Sequence, residues 1–217
     1  MTAPSPDPGA PPPAPAGPRR RLWPLALLSA LLVVAAALLS FRTISGNWPW
    51  APAGSAQASL GGAFALVDGD GRQVTDQTFR GKWLMVFFGY THCPDVCPTT
   101  LSDIAQALDQ LGPLASQIQP LFVTVDPERD DPATMRDYTQ AFGTRILGLT
   151  GSPAQIAAIA KAYHVYYAKH PEGTGYSMDH SAIVYVMRPD GTPAGFLTPD
   201  IGASAIADKL KAIVAKG

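Results

Sequence analysis

The chain has 217 residues, of which 47% are apolar and 15% charged, with a formal net charge of −1. From residue 43 onward twelve basic side chains stand against sixteen acidic ones, whereas residues 1–21 carry Arg19, Arg20 and Arg21 against Asp7 alone. A mildly acidic body lacks the clustered basic charge that binding a phosphate backbone needs, so no nucleic-acid partner is expected.

Residues 1–18 hold 8 of the 22 prolines among Ala, Gly and Ser. Such a stretch cannot bury apolar surface, so residues 1–21 read as a disordered, proline-rich cytoplasmic tail. Residues 22–41 contain no charge, and at 1.5 Å rise this length matches a hydrocarbon core of about 30 Å. The arginines on its N-terminal side predict that this end faces the cytoplasm and that the body lies beyond the membrane. A cleaved signal peptide is the rival reading, but its apolar region is shorter and the Ala-x-Ala at residues 56–58 lies well past the run. The expectation is a retained single-pass anchor in a bacterial inner membrane, contacting lipid through residues 22–41, with a periplasmic body. Residues 42–59, mixed Gly, Pro, Ala, Ser and Trp, read as a linker to a domain at 60–217.

In that domain, short strands flank Asp68-Gly69-Asp70-Gly71, which has hairpin turn chemistry. A calcium loop on this spelling would need a Glu at its twelfth position, where Phe79 stands. Residues 83–88 are continuously apolar, as in a strand buried on both faces. Leu101, Ile104, Ala105, Leu108 and Leu111 recur at helical spacing, and residues 121–125 form a second apolar strand. Together they make a βαβ unit with parallel strands. Met135, Tyr138 and Phe142 mark a short helix, residues 147–150 a short strand, and Ile156, Ile159, Ala160 and Tyr163 another helix. Residues 182–187 and 193–198 read as antiparallel strands around Arg188-Pro189-Asp190-Gly191. An amphipathic helix with Ile206, Leu210, Ile213 and Val214 ends the chain. The fold class is α/β, a mixed central sheet flanked by helices on both faces.

Cys93 and Cys97 are the only cysteines, and they follow the first apolar strand. Four readings compete. A disulfide closing so short a loop would stabilise by only about 2 kcal/mol. Structural zinc wants four ligands, and two cysteines with His180 make three, with His92 a strained fourth. A dithiol oxidoreductase is favoured by cysteines at a helix N-terminus, where the dipole stabilises thiolate. Its usual spacing is Cys-x-x-Cys, however, and such enzymes place a cis-proline before a later strand. Here no proline occurs between Pro171 and Pro189, and Asp179-His180-Ser181 precedes that strand. A peroxidase finds no recognisable Thr/Arg peroxide site. Copper suits two thiolates joined by an imidazole: if Cys93 opens a helical turn, Cys97 follows on the same face and a loop supplies His180.

The stretch at residues 88–98 (Phe-Gly-Tyr-Thr-His-Cys-Pro-Asp-Val-Cys-Pro), Val125-Asp126-Pro127-Glu128-Arg129-Asp130 and Asp179-His180-Ser181 together resemble the Sco/SenC family over about residues 60–217, in the family's order. The resemblance implies a thioredoxin-like fold binding copper through Cys93, Cys97 and His180. It implies a metallochaperone that delivers copper to the binuclear centre of cytochrome c oxidase subunit II or to another copper protein. As an alternative it implies a thiol–disulfide oxidoreductase that uses Cys93 and Cys97 as a redox pair to reduce the target's cysteines. Several neighbours carry lesser expectations. His92 is exposed or beside the site, His164 and His170 lie at the surface, and Asp179 orients His180 through a hydrogen bond. Met178 fills a gap rather than binding metal. The acidic run at 126–131 caps and salt-bridges its loop, with Arg129 as the partner.

Overall fold

The computed structural model describes residues 60–216. The proline-rich tail, the predicted span at 22–41 and the linker at 42–59 lie outside the described residues, none of whose helices is long and apolar enough to cross a membrane. Strands β1 (Ala65–Asp68) and β2 (Gln73–Thr75) form the expected hairpin, with Asp68 accepting from the backbone N–H groups of Asp70 and Arg72 inside the turn. Strand β3 (Trp83–Gly89) is buried at every position. It leads through helix α1 (Val96–Leu111) to β4 (Ile118–Thr124), which runs parallel to it. Helix α2 (Pro132–Gln140), strand β5 (Leu147–Thr150) and helix α3 (Pro153–Ala162) follow.

The helix boundaries have local causes. Asp131 caps α2 by accepting from Thr134 N at 2.8 Å, and Ser152 and Gln155 form a reciprocal capping box on α3. Such caps satisfy N–H groups that have no partner within the helix, each stabilising by about 1 kcal/mol. Pro132 and Pro153 occupy the first helical position, where a missing N–H costs nothing. On α1 the buried stripe also includes Ala107, and Ala105 is half-buried against the core.

Strands β8 (Val184–Met187) and β9 (Pro193–Leu197) pair antiparallel as expected, although residues 182 and 183 precede the first of them. Helix α4 (Gly202–Val214) closes the fold and packs on α1. The sheet order is β2-β1-β5-β4-β3-β8-β9, with β3, β4 and β5 parallel and the remaining neighbours antiparallel. Because β3 sits near the middle, alternate side chains enter two different cores. Phe87 meets Phe122, whose ring in turn packs on Tyr138 of α2. Phe88 points the other way, onto Tyr163 at the end of α3 and Tyr185 of β8. Helices therefore cover both faces.

One element escaped the sequence pattern. Strands β6 (Tyr167–Glu172) and β7 (Gly175–His180) form a separate two-stranded ribbon, with Gly173 at φ 56° in its turn. His180 is thus the last residue of a strand and not part of a loop. The ribbon is largely solvated on β6 and contains Pro171, so it shows neither an apolar run nor a clean alternation.

Candidate metal centre

Three sequence-predicted residues converge at the carboxyl end of β3. The donor atoms of Cys93, Cys97 and His180 all lie within 4.8 Å of one another. This is the one group of three or more His, Cys, Asp or Glu side chains that meets closely enough to hold a metal among the described residues. Cys97 Sγ lies 3.4 Å from His180 Nε2.

The two sulfurs do not arrive as consecutive turns of one helix. The helix starts at Val96, so Cys93 belongs to the preceding loop and only Cys97 is helical. They still face each other, because the Cys97 backbone N–H donates to Cys93 Sγ at 3.4 Å. Asp95, the residue before the helix, makes no side-chain cap there. The Cys93 sulfur therefore takes the place that a capping oxygen would occupy, against N–H groups whose partial positive charge favours an anion.

Access and ionisation separate the two cysteines. Cys93 is 9% exposed and Cys97 is fully buried. The Cys97 thiol, hydrogen-bonded to Cys93, holds the Cys93 pKa down at about 4 against the opposing effect of burial, and His180 adds to the lowering. The same bond to Cys93, followed by burial, pushes Cys97 upward. The two thiols titrate as a coupled pair, and Cys93 is the sulfur favoured as thiolate.

Gly89 makes the close approach possible. A Cβ on it would stand 2.6 Å from Cys97 Sγ and 2.7 Å from Phe122 Cε2. His180 is held edge-on against Tyr90, with centroids 5.9 Å apart, and against Phe87 at 6.3 Å. Its Nδ1 lies 3.3 Å from the Ser181 carbonyl oxygen. That contact turns Nε2 toward the sulfurs, and in the tautomer with the proton on Nδ1 it is Nε2 that is free to bind a metal.

That carbonyl has the role expected of Asp179. Asp179 instead pairs with His170, Nε2 to Oδ2 2.8 Å, on the exposed side of the ribbon. Adjacent residues of a strand project to opposite sides, so Asp179 cannot follow His180 inward. His92 stands outside the donor group, exposed, with Nδ1 3.1 Å from Thr91 Oγ1. His164 follows α3 in a left-handed conformation, φ 53°. Met178 is buried and belongs to the core.

The loop after β4 does more than cap itself. Asp130, fully buried, accepts from Thr91 N at 3.0 Å, Thr91 Oγ1 at 2.6 Å and Thr124 Oγ1 at 2.6 Å. It thereby ties the cysteine loop to the end of β4. Sequence reasoning placed Asp130 in an acidic run that caps and salt-bridges its own loop. The signal that could have found it is the donor-rich Thr91 and Thr124, each at the carboxyl end of a buried strand.

A family model described as SCO1/SenC matches residues 52–215. The mitochondrial protein SCO2 homolog of Bos taurus is 44% identical over 160 residues, covering 71% of this chain and 60% of its own length. The chain thus spans about three-fifths of that relative. Among solved structures, Arabidopsis thaliana ScoI with copper bound is 35% identical with a TM-score of 0.71, covering 73% of this chain and 100% of that one. Bradyrhizobium japonicum ScoI with copper bound is 42% identical with a TM-score of 0.67, covering 71% of this chain and 99% of that one.

Proposed function

The chain belongs to the SCO1/SenC family, and from that premise we propose that it binds copper through Cys93, Cys97 and His180 and passes it on during cytochrome c oxidase assembly. The observation that carries this reading is the convergence of two sulfurs and one imidazole nitrogen within 4.8 Å at the end of the central strand. The donor set fits the ion: thiolates select Cu(I), and imidazole accommodates Cu(II) as well. Copper is cargo here, so the site must both hold it and let it go.

The residues divide that task. Cys93 offers a thiolate at neutral pH and is the more accessible of the two sulfurs. Cys97 gives up its proton on binding and supplies the buried second sulfur. His180 adds the nitrogen from a separate ribbon, so one of three bonds can loosen without disturbing the helix that carries Cys97. Three protein donors leave a position through which an incoming ligand of the recipient can attach before the last of these bonds breaks.

The finer parts of the proposal are the recipient and the setting. The recipient is the binuclear copper centre of cytochrome c oxidase subunit II, and the domain stands in the periplasm on an anchor at residues 22–41. Titrating the purified chain with copper should load a single ion per chain and produce a thiolate-to-copper charge-transfer band. His180→Ala should bind Cu(II) far more weakly than the parent while retaining Cu(I) binding, and either Cys→Ser should lose both. A His180→Ala chain that binds Cu(II) as well as the parent would sink the three-donor assignment.

A second reading draws on the unequal thiols. A low-pKa Cys93, the less buried of the two, beside a hidden Cys97 suits attack on a disulfide in the recipient. Cys93 would form the mixed disulfide, and Cys97 would displace it. Two electrons pass to the target, which leaves as a dithiol, while Cys93 and Cys97 become a disulfide. This activity requires both cysteines and survives the loss of His180, though with a less acidic Cys93, which separates it from copper delivery in variant assays.

A further inference from the structure

His180 does not belong to the element that carries the cysteines. Its strand lies in the two-stranded ribbon, which pairs with nothing in the seven-stranded sheet. Something else must hold the imidazole at reach of the sulfurs.

Tyr176, Met178 and His180 alternate onto one side of β7, while Asp179 faces solvent. The loop after β4 grips that side at Tyr176. Arg129 Nε pairs with Asp126 Oδ2, and Arg129 Nη1 donates to the Tyr176 carbonyl oxygen at 3.0 Å. The guanidinium carbon lies 3.8 Å from the centroid of the Tyr176 ring and 5.7 Å from that of Tyr90, the ring that packs against His180. The Tyr176 hydroxyl donates back to Asp126 Oδ1 at 2.8 Å, so the ring is fastened at both its backbone and its far end. Asp126 is 1% exposed, which shields its bonds from water. A second strap, Lys169 to Glu128 at 2.7 Å, lies at the solvent edge and carries less.

We propose that Arg129 is a positioning residue for copper binding: by bridging Asp126, the Tyr176 carbonyl and the rings of Tyr176 and Tyr90, it holds the His180 strand at bonding distance from Cys93 and Cys97. The proposal rests on the three-donor reading above. Arg129 makes none of the donor contacts, so its effect must run through His180. A lysine cannot replace it, because only the planar fork bonds Asp126 and the Tyr176 carbonyl while stacking on an aromatic face.

The test is a double-mutant cycle on the 217-residue chain. Arg129→Gln is expected to weaken Cu(II) binding against a competing chelator about tenfold or more, and by less than about twofold in a His180→Ala background. Its Cu(II) electron paramagnetic resonance spectrum should shift toward that of His180→Ala, with Arg129→Lys falling between. Melting midpoints of the metal-free variants identify any that fail to fold, and Arg129→Lys carries the cycle if Arg129→Gln does. Equal losses with and without His180 would mean that Arg129 serves folding in general, and the proposal would be overturned. If His180→Ala itself leaves Cu(II) affinity unchanged, the three-donor reading fails instead. The metal-free proteins then decide the positioning claim by nuclear magnetic resonance. His180 ring resonances moved by Arg129→Gln support it, and resonances that stay in place overturn it.

Discussion

Cys93 and Cys97 are four residues apart and chemically unlike, and the difference is local. The sulfur that accepts the Cys97 N–H sits at the open start of α1, where the helix has donors to spare. The other sulfur is sealed in the core against Gly89. With its pKa lowered to about 4, Cys93 is thiolate at every pH well above that value and loses reactivity only as the pH falls toward it. In the reduced, metal-free protein, Cys93 alkylation by iodoacetamide should therefore be flat from pH 6 to 8 and decline towards pH 4, with Cys97 unmodified until the chain unfolds. Peptide mass spectrometry distinguishes the two sites. A rate that climbs about tenfold per pH unit up to pH 8 would instead describe an ordinary thiol and overturn the assignment. Asp130 makes a related point about burial. Its three hydrogen bonds can be seen only once Thr91 and Thr124, 33 residues apart in the chain, are brought to the same carboxylate.

Strand β3 supports the site by its register as much as by its burial. It pairs residue by residue with β4 from Trp83↔Ile118 to Gly89↔Thr124, which places Gly89 directly under the sulfur of Cys97. Gly89→Ala should force either Phe122 or the first turn of α1 outward, at a cost of about 1–3 kcal/mol typical of overpacking. The same displacement should weaken copper retention. Urea denaturation of the metal-free protein measures the first effect and chelator competition the second, and a variant with unchanged stability and affinity would show that the contact relaxes freely. The ribbon of β6 and β7 behaves differently as an element. It pairs with no strand of the seven-stranded sheet and meets the β4 loop through Tyr176.

For the molecule as a whole, Leu60 packs on the core and Gly61 N donates to the Ala162 carbonyl oxygen, so residues 60 and 61 already belong to the folded body. A chain beginning at Leu60 should fold and bind copper as the 217-residue chain does. The 217-residue chain should stay with the membrane fraction through alkaline carbonate extraction, and the shortened one should not. Release of both by carbonate would refute the anchor at residues 22–41, and failure of the shortened chain to fold would refute a boundary at Leu60.

The family motifs, the βαβ unit, both buried parallel strands and the candidate donors Cys93, Cys97 and His180 were legible in the amino-acid sequence. Each is written in local pattern: a continuous apolar run, a 3.6-residue stripe, or a short spelling around a reactive side chain. The start of α1 was less legible, because Cys93 reaches its neighbour from a loop by accepting a backbone N–H and not by helical spacing. The ribbon was not legible at all, since β6 is solvated along most of its length and β7 turns a tyrosine, a methionine and a histidine inward in place of an aliphatic run. Nor were the Asp179–His170 pair, the Ser181 carbonyl behind His180, or the bridge from Arg129 to Tyr176. The sequence by itself determined which atoms can bind a soft metal. Only the tertiary structure decided what holds those atoms together, because hydrogen bonds between residues 47 or 83 positions apart leave no periodic trace in a chain.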